Sequence, residues 1–226
     1  MRKKFRRLSA LAVGVAVIVM AAIAVTPEIR PNPPSAGESD QPGSAVVALT
    51  ELPVKGRAPK TDYSREQFGS GWAVVNGCDT RNIILYRDLE SPQLDDECRV
   101  VSGVLNDPYT DMVIHFSRQD SSSVQIDHTV ALSDAWQKGA QQLTRDGRIQ
   151  FANDPLNLLA VDGPANQQKG DGDAATWLPA NSTFRCEYVA RQVAIKKKYT
   201  LWVTPAEKQA MEQVFSGCAG QNLPAK

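Results

Sequence analysis

An aspartate and a histidine stand side by side at Asp127 and His128, within the stretch QIDHTVALSDAW. A carboxylate beside an imidazole can hold a divalent cation next to a proton acceptor, but such a pair also occurs at the polar end of ordinary strands. Adjacent side chains of a regular strand point to opposite faces, so we expect the pair where a strand ends or bulges. The other histidine, His115, fits an alternating strand and is expected to be a packed or surface residue.

Further polar residues follow the pair. Asn157 begins an apolar run in FANDPLNLLAVDGPANQQKGD, Asn166 comes nine residues later, and Lys169 precedes a glycine. The order Asp-His, Asn-Leu-Leu and Asn-x-x-Lys-Gly resembles the HNH nuclease motif. More narrowly, residues from about 63 to 218 resemble the HNH-type C-terminal domain of the GmrSD modification-dependent restriction enzymes, and exported bacterial proteins that carry this domain.

The resemblance implies a ββα-metal finger, in which a hairpin and a helix hold one divalent ion against the scissile phosphate. By matching position, Asp127 and Asn166 would bind the ion. His128 would be the general base, and Asn157 would fix the loop that positions the histidine. Asn166 stands where many members have a second histidine, a departure that favours a harder metal. Asn166 also has a plainer interpretation as the cap of a helix beginning near Gln167.

Elementary chemistry is consistent with those roles. Hydrolysis of a phosphodiester needs a deprotonated water and a cation that offsets charge on the phosphoryl oxygens. A neutral imidazole with an ordinary pKa of about 6.5 suits the first task. One carboxylate and one amide oxygen suit Mg²⁺, with Mn²⁺ as the alternative, because these ions prefer oxygen ligands. A zinc site with three His or Cys ligands is not available, since His115 is the only other histidine.

Four basic residues are the predicted contacts to the substrate: Lys169, Arg185, Arg191 and Lys196. Lys169 belongs to the sequence KGD, which is equally typical of an ordinary loop. Arg191 and Lys196 belong to the run RQVAIKKKY, which would form one face of a helix. A charge run of this kind is more often a solvated surface, so both interpretations stay open. The resemblance implies a nucleic acid as the partner, with DNA expected before RNA.

The N-terminal residues predict export. MRKKFRR is a cationic segment, and the next eighteen residues, 8–25, carry no charge. This pattern suits a signal peptide cleaved after Ala22-x-Ala24 and equally a membrane anchor, while the lack of a nearby cysteine excludes a lipoprotein. We expect a signal peptide or anchor over 1–30, a flexible Pro-rich linker over 31–60, and an HNH-type domain over 61–220 with its core motif at 100–205. The domain would be secreted or held at the outer face of the cytoplasmic membrane.

The net charge of the chain argues against one class of DNA-binding protein. The whole chain has 25 basic and 25 acidic residues; without residues 1–30, 19 basic and 24 acidic residues remain, a net charge of −5. A protein that coats DNA by general phosphate neutralisation is therefore not expected.

Four cysteines beyond the export segment predict two disulfides. Of the three possible pairings, the local ones are favoured: Cys78 with Cys98 and Cys186 with Cys218.

The pattern of elements predicts an α+β fold with a small antiparallel sheet and packing helices. Short strand-like segments are NIILYRDL, CRVVSGVL, MVIHFSR and SSSVQIDHTVAL, with a turn at NDPYTD. Helical periodicity begins at LSDAWQKGAQQL, with Ser133 as N-cap. It returns in RCEYVARQVAIKKKYTLW and in TPAEKQAMEQVFSGC, where Thr204 would cap the helix ahead of Pro205.

Taken together, these features predict an exported, metal-dependent HNH-type endonuclease. The alternative from another class is a non-catalytic envelope or extracellular binding module that keeps the fold, and a third is an effector delivered to competing cells. The Asp-His-Asn set favours the enzyme, whereas the acidic net charge leaves room for the binding module.

Overall fold

Helices and short strands alternate along residues 43–224, the part of the chain that this computed structural model describes. The α-helices there are α1 (Ala45–Glu51), α2 (Thr80–Asp88), α3 (Leu132–Gln137), α4 (Arg145–Ala152), α5 (Gly163–Lys169), α6 (Arg185–Lys198) and α7 (Pro205–Phe215). The strands are β1 (Val74–Val75), β2 (Cys78–Asp79), β3 (Glu90–Leu94), β4 (Val100–Asn106), β5 (Val113–Ser117), β6 (Val124–His128) and β7 (Leu158–Asp162). None of these helices is long and apolar enough to span a membrane. The predicted signal peptide or anchor over 1–30 lies outside the described residues.

The strands form three small antiparallel sheets. β3, β4 and β5 make one sheet, β6 pairs with β7, and β1 pairs with β2. The turn predicted at NDPYTD joins β4 to β5, and there the Asp107 carboxylate accepts hydrogen bonds from the backbone N–H and the hydroxyl of Thr110. The predicted α+β class is confirmed, but the strands form three short antiparallel sheets where the sequence predicted one.

One of the predicted strands is a helix. NIILYRDL lies in α2, which begins after Asp79 because that carboxylate accepts a hydrogen bond from the Asn82 N–H at 2.8 Å. Ile84 and Leu85 on this helix are fully buried in the cluster that lies under the sheets. The strand prediction was wrong because an apolar run of this length fits a buried helix turn as well as a strand.

The two C-terminal helices form where the sequence predicted them. α7 starts with a capping box, in which the Thr204 hydroxyl accepts from the Glu207 N–H and the Glu207 carboxylate accepts from the Thr204 N–H. Pro205 occupies the first turn, where its missing N–H costs nothing. α6 contains the whole basic run up to Lys198.

Two predicted caps are placed differently. α3 begins after Ala131 without a side-chain cap, and Ser133 lies inside the helix, where its hydroxyl donates to Asp171 at 2.9 Å. α5 is capped by Asp162, so Asn166 lies within the helix and its interpretation as an N-cap is wrong. Asn166 therefore has its side chain available for contacts with neighbouring elements.

The second half of the predicted linker belongs to the domain. α1 buries Ala45, Ala48 and Leu49 against α6 and α7, in a cluster that includes Tyr188 and Met211. The prediction of a flexible linker is therefore wrong from residue 44 onward, while residues 31–42 lie outside the described part. Apolar residues at this spacing give a short helix one buried face, even between segments rich in Pro and Gly.

Both predicted disulfides are confirmed. Cys78–Cys98 joins β2 to the turn before β4, and Cys186–Cys218 joins α6 to the segment after α7. The bridges span 20 and 32 residues of sequence. Loops of this length restrict the unfolded chain and stabilise the folded one by about 3 to 4 kcal/mol each.

Several charged side chains lie out of water between the helices. The Lys138 ammonium is fully buried and lies 2.7 Å from a carboxylate oxygen of each of Asp134, Asp173 and Glu207. Lys196 is equally buried, 3.0 Å from Glu207 and 3.5 Å from Asp134. Burial lowers the pKa of Lys196, but the carboxylates of Glu207 and Asp134 outweigh it and leave this pKa raised. The predicted role of Lys196 in substrate binding is wrong, because its ammonium does not reach the surface.

Lys196→Met should lower the free energy of unfolding by about 3 to 5 kcal/mol, because it leaves buried carboxylates short of a cation. Lys197 is a matched control on the same helix. Its ammonium lies 2.6 Å from Glu51, with both side chains about half exposed, so Lys197→Met should cost less than about 1 kcal/mol. Urea denaturation of both variants measures the difference, and equal small losses would contradict a stabilising buried cluster.

Candidate active site

β6 and β7 carry the aspartate-histidine pair. Asp127 lies opposite Leu159 and His128 opposite Leu158 in the antiparallel register, and β6 ends at His128, as the sequence predicted. Opposite residues of an antiparallel pair share a face. Leu159 and Leu158 belong to different core clusters, so Asp127 and His128 leave the strand in opposite directions. Both nevertheless border the same cavity.

α5 is packed closely against the start of β6. A side chain on Gly163, at the first position of α5, would collide with the Ser122 carbonyl oxygen, so only glycine allows this approach. Asn166 thereby lies beside the strand, and its amide Nδ2 donates to the Gln125 Oε1 at 2.9 Å. The Asn166 Oδ1 accepts no hydrogen bond from the described residues and remains free to bind a cation or a donor.

The ring of His128 is held in one tautomer. Its Nε2 lies 2.8 Å from the Ala152 carbonyl oxygen. A carbonyl oxygen only accepts, so Nε2 carries the hydrogen and Nδ1 keeps a free lone pair. The Trp72 indole stacks on the ring, with centroids 5.7 Å apart and planes 8° from parallel. The Ala73 N–H donates to the Asn153 side chain at 2.8 Å, which ties the tryptophan segment to the end of α4.

Burial also decides the charge of His128. The residue is only 7% exposed, and burial lowers its pKa to about 4, against the opposing effects of the Ala152 hydrogen bond and the Asp127 charge. The ring is therefore neutral at neutral pH. A neutral imidazole with a free Nδ1 can accept a proton.

Asp127 is held by two buried partners. The Lys169 ammonium lies 2.9 Å from Asp127 Oδ1 and 2.9 Å from the His128 carbonyl oxygen, and the Tyr109 hydroxyl donates to Asp127 Oδ2 at 2.5 Å. Burial and the Asp127 charge raise the pKa of Tyr109 well above its ordinary value, so the phenol stays a donor. Each carboxylate oxygen keeps a further lone pair. The predicted substrate contact by Lys169 is wrong, because its ammonium is buried against Asp127.

Asn157 is fully buried and fixes the chain directly after the histidine. Its Oδ1 accepts from the Thr129 hydroxyl at 3.0 Å and from the Val130 N–H at 2.9 Å. Its Nδ2 lies 3.3 Å from the Val130 carbonyl oxygen. These bonds are of the loop-fixing kind that the resemblance implied, and they leave Asn157 no atom for direct chemistry.

A cavity of about 460 Å³ opens beside the pair. Its wall includes residues that the sequence did not single out: Tyr63, Arg65, Trp72, Arg81 and Gln125. Trp72 had one visible signal, because it stands among glycines in GSGWAV rather than in an apolar run of the core. Arg65 and Arg81 had no such signal, since their positions depend on how distant segments pack.

Two further predicted substrate contacts lie elsewhere. Arg185 donates to the Pro179 carbonyl oxygen at 2.7 Å and borders a different depression, beside the Cys186–Cys218 bridge. Arg191 donates to the Leu156 carbonyl oxygen and pairs with Glu187, each at 3.1 Å. Neither side chain borders the cavity, so the predicted groove on α6 is not found at this site.

The oxygen atoms around the pair suit a hard cation. Within residues 43–224, no group of three or more His, Cys, Asp or Glu side chains is arranged to hold a metal. The donors at hand are the Asp127 carboxylate and the Asn166 amide oxygen, and both border the cavity. Such a partial oxygen set fits Mg²⁺, which keeps several of its waters. His115 is exposed on β5 and does not border this cavity.

Comparisons with known proteins found a matching family model and a similar protein. Residues 79–214 match the family model described as "GmrSD restriction endonucleases, C-terminal domain". An "Uncharacterized secreted protein" of Arthroderma benhamiae is 35% identical over 206 residues, which cover 90% of this chain and 97% of that protein. No solved structure matches the chain. The range matched by the family model contains Asp127, His128, Asn157 and Asn166 but starts after Arg65 and Trp72.

His128 should titrate with a pKa of about 4 in the metal-free protein. A His115→Gln variant leaves it as the only histidine, so its NMR ring signals in EDTA are unambiguous. Because the folded pKa lies below the unfolded value of about 6.5, this group's stabilising contribution is complete above pH 6.5. It is lost as the pH falls from 6.5 to 4, by up to about 3 kcal/mol. A midpoint near 6.5 would contradict the buried, neutral ring.

Proposed function

We propose, because the chain belongs to the family of GmrSD restriction endonuclease C-terminal domains, that it is a metal-dependent HNH-type endonuclease. It hydrolyses phosphodiester bonds of nucleic acid, with DNA as the first expected substrate. β6, β7 and α5 are the two strands and the helix of a ββα-metal finger. The observation that carries the proposal is the neutral His128 ring with its free Nδ1, held beside Asp127 and Asn166.

In this proposal His128 is the general base. Its Nδ1 takes the proton from the attacking water, while the Nε2–H stays on the Ala152 carbonyl oxygen and stabilises the imidazolium that forms. The stacked Trp72 keeps the ring in this orientation. A positioned base of this kind typically contributes about 10² to 10⁴ in rate.

Asp127 and Asn166 are the proposed ligands of the metal. Mg²⁺, or Mn²⁺ as the alternative, would when bound offset the charge that builds on the phosphoryl oxygens. The Tyr109 hydroxyl orients the Asp127 carboxylate, and Lys169 offsets part of its charge. Asn157 supports the loop after His128 and takes no direct part.

The proposed place of action is outside the cell. Two disulfides are typical of proteins in an oxidising compartment. The cationic and uncharged N-terminal segments fit an export signal. The Arthroderma benhamiae relative, whose name describes it as secreted, agrees with this location.

One observation favours a second candidate, a non-catalytic binding module with the same fold. Asp127 already forms an ion pair inside the protein with Lys169 at 2.9 Å, so the site is held together without a bound cation. Titration calorimetry with Mg²⁺ and Mn²⁺ distinguishes the two candidates. Binding that is weakened in Asp127→Asn supports the nuclease, whereas no heat of binding by the native chain supports the module.

The full-length protein should nick plasmid DNA with Mg²⁺ or Mn²⁺ and should stop when EDTA is added. His128→Ala should lower the rate by about 10² to 10⁴, because the proton acceptor is removed. His115→Ala is the matched control and should keep the native rate, since that histidine is exposed on β5. Circular dichroism checks that both variants are folded. A native rate in folded His128→Ala would refute the assignment of the base.

Asp127→Asn should raise the Mn²⁺ concentration needed for half-maximal cleavage, because one negative ligand is lost while the shape is kept. The remaining defect should shrink as Mn²⁺ is increased. Asp171→Asn is a suitable control, because that carboxylate borders the same cavity but is paired with Ser133 and Lys60. If metal dependence in Asp127→Asn equals that of the native chain, Asp127 is not a ligand.

A further inference from the structure

Two arginines on the cavity wall have no acidic partner. Arg65 lies in the 3₁₀ turn Arg65–Phe68, and Arg81 lies in the first turn of α2. Among residues 43–224, neither guanidinium forms a salt bridge, whereas nearby Lys60 pairs with Asp171 and Arg57 with Asp173. No salt bridge within the described residues therefore offsets the positive charge at these two positions.

Arg81 lies near a second arginine, Arg118, that forms no salt bridge among the described residues. The Arg81 Nη2 has only long contacts, 3.4 Å to the carbonyl oxygens of Ser121 and Val124. Arg118 lies near it, with a buried Nε that has no hydrogen-bond partner and an Nη2 that has one long contact, 3.4 Å to the Asn82 Oδ1. Burial and the Arg118 charge lower the pKa of Arg81, and Asp79 only partly opposes them. Two partly buried guanidiniums side by side are costly unless an anion binds them.

The two arginines lie at opposite ends of β6. Arg81 contacts the carbonyl oxygen of Val124, the first residue of that strand. Arg65 borders both the main cavity and a smaller one formed with Trp72 and His128, the last residue of the strand. A chain of phosphates that passes Asp127 and His128 would therefore meet a guanidinium on either side.

The two carboxylates that line the main cavity, Asp127 and Asp171, already have partners within the protein. Asp127 faces Lys169, as described above. Asp171 accepts from the Ser133 hydroxyl and lies 3.2 Å from the Lys60 ammonium. Neither carboxylate is paired with Arg65 or Arg81, so both guanidiniums keep their donors for a ligand. Guanidinium matches phosphate well, because its planar fork can donate two parallel hydrogen bonds.

We propose that Arg65 and Arg81, with Arg118 behind Arg81, are two phosphate-binding positions that flank Asp127 and His128. They hold the backbone of a nucleic acid strand on both sides of the bond to be cleaved. This inference rests on the proposed function and assigns its substrate contacts to residues other than Lys169, Arg185, Arg191 and Lys196. Arg65 lies upstream of the range that matches the family model.

The binding of oligonucleotides in the absence of metal tests the two proposed phosphate-binding positions directly. Fluorescence anisotropy would follow labelled oligonucleotides, as single-stranded DNA, duplex DNA and RNA of one sequence, binding to the full chain in EDTA. Arg65→Gln and Arg81→Gln should each weaken binding roughly tenfold at moderate salt, since each loses a charge-assisted contact. The slope of log affinity against log salt should become shallower by about 0.7 to 0.9 per variant. The three oligonucleotide arms identify which nucleic acid supplies the phosphates.

Lys197→Gln is the matched control, because it removes one exposed positive charge from α6, away from the cavity. It should leave both the affinity and the salt slope unchanged. Arg81→Lys, a second variant at the same position, should keep the salt slope while losing part of the affinity, because the charge stays and the fork is lost.

The outcomes separate this inference from the proposed function. Cleavage by the native chain, with Arg65→Gln and Arg81→Gln unchanged in affinity and salt slope, overturns the phosphate positions and leaves the nuclease in place. Arginine-dependent binding in EDTA without cleavage in Mg²⁺ or Mn²⁺ supports the positions and refutes the nuclease. No measurable binding by the native chain at low salt overturns the phosphate positions.

Discussion

Buried opposite charges decide how the helices of this domain pack. Leaving any one of these charges unpaired in the interior costs several kcal/mol, so α3, α6, α7 and the loop after α5 must come together as a set. Three cations face three carboxylates in this cluster: Lys138, Lys196 and Arg57 with Asp134, Asp173 and Glu207. Because α3 begins four residues after His128, the cluster also fixes the end of the strand that carries the candidate base.

The need to avoid unpaired buried charges also determines the arrangement of the candidate active site. His128 avoids an unpaired charge by staying neutral, with its pKa lowered to about 4 through burial. Asp127 is buried beside Tyr109, and each of its carboxylate oxygens accepts one hydrogen bond, from the Lys169 ammonium and from the Tyr109 hydroxyl. Only Arg65 and Arg81 on the cavity wall have no acidic partner in the described chain. In a domain that pairs its interior charges so closely, unpaired guanidiniums at the surface of the cavity indicate a ligand that is itself an anion.

The cavity is assembled from segments that are far apart in the chain. The end of α4 supplies the Ala152 carbonyl oxygen for the His128 ring, and the next residue, Asn153, holds the backbone beside Trp72. The turn between β4 and β5 supplies Tyr109, and α5 supplies Asn166. β6 is thus a regular strand, and its last residues form a site only because these distant segments pack around them.

The sequence by itself determined the features that depend on local signals. The spacing of Asp127, His128, Asn157 and Asn166 and the helix cap at Thr204 could be predicted without coordinates, and the cysteine spacing favoured the two local disulfides among three possible pairings. Only the tertiary structure decided that Lys169 and Lys196 are buried, that NIILYRDL is helical and that α1 belongs to the domain. The reason is physical: a lysine looks the same in sequence whether it meets water or a buried carboxylate. Its partners Asp127 and Glu207 come close only when distant segments pack.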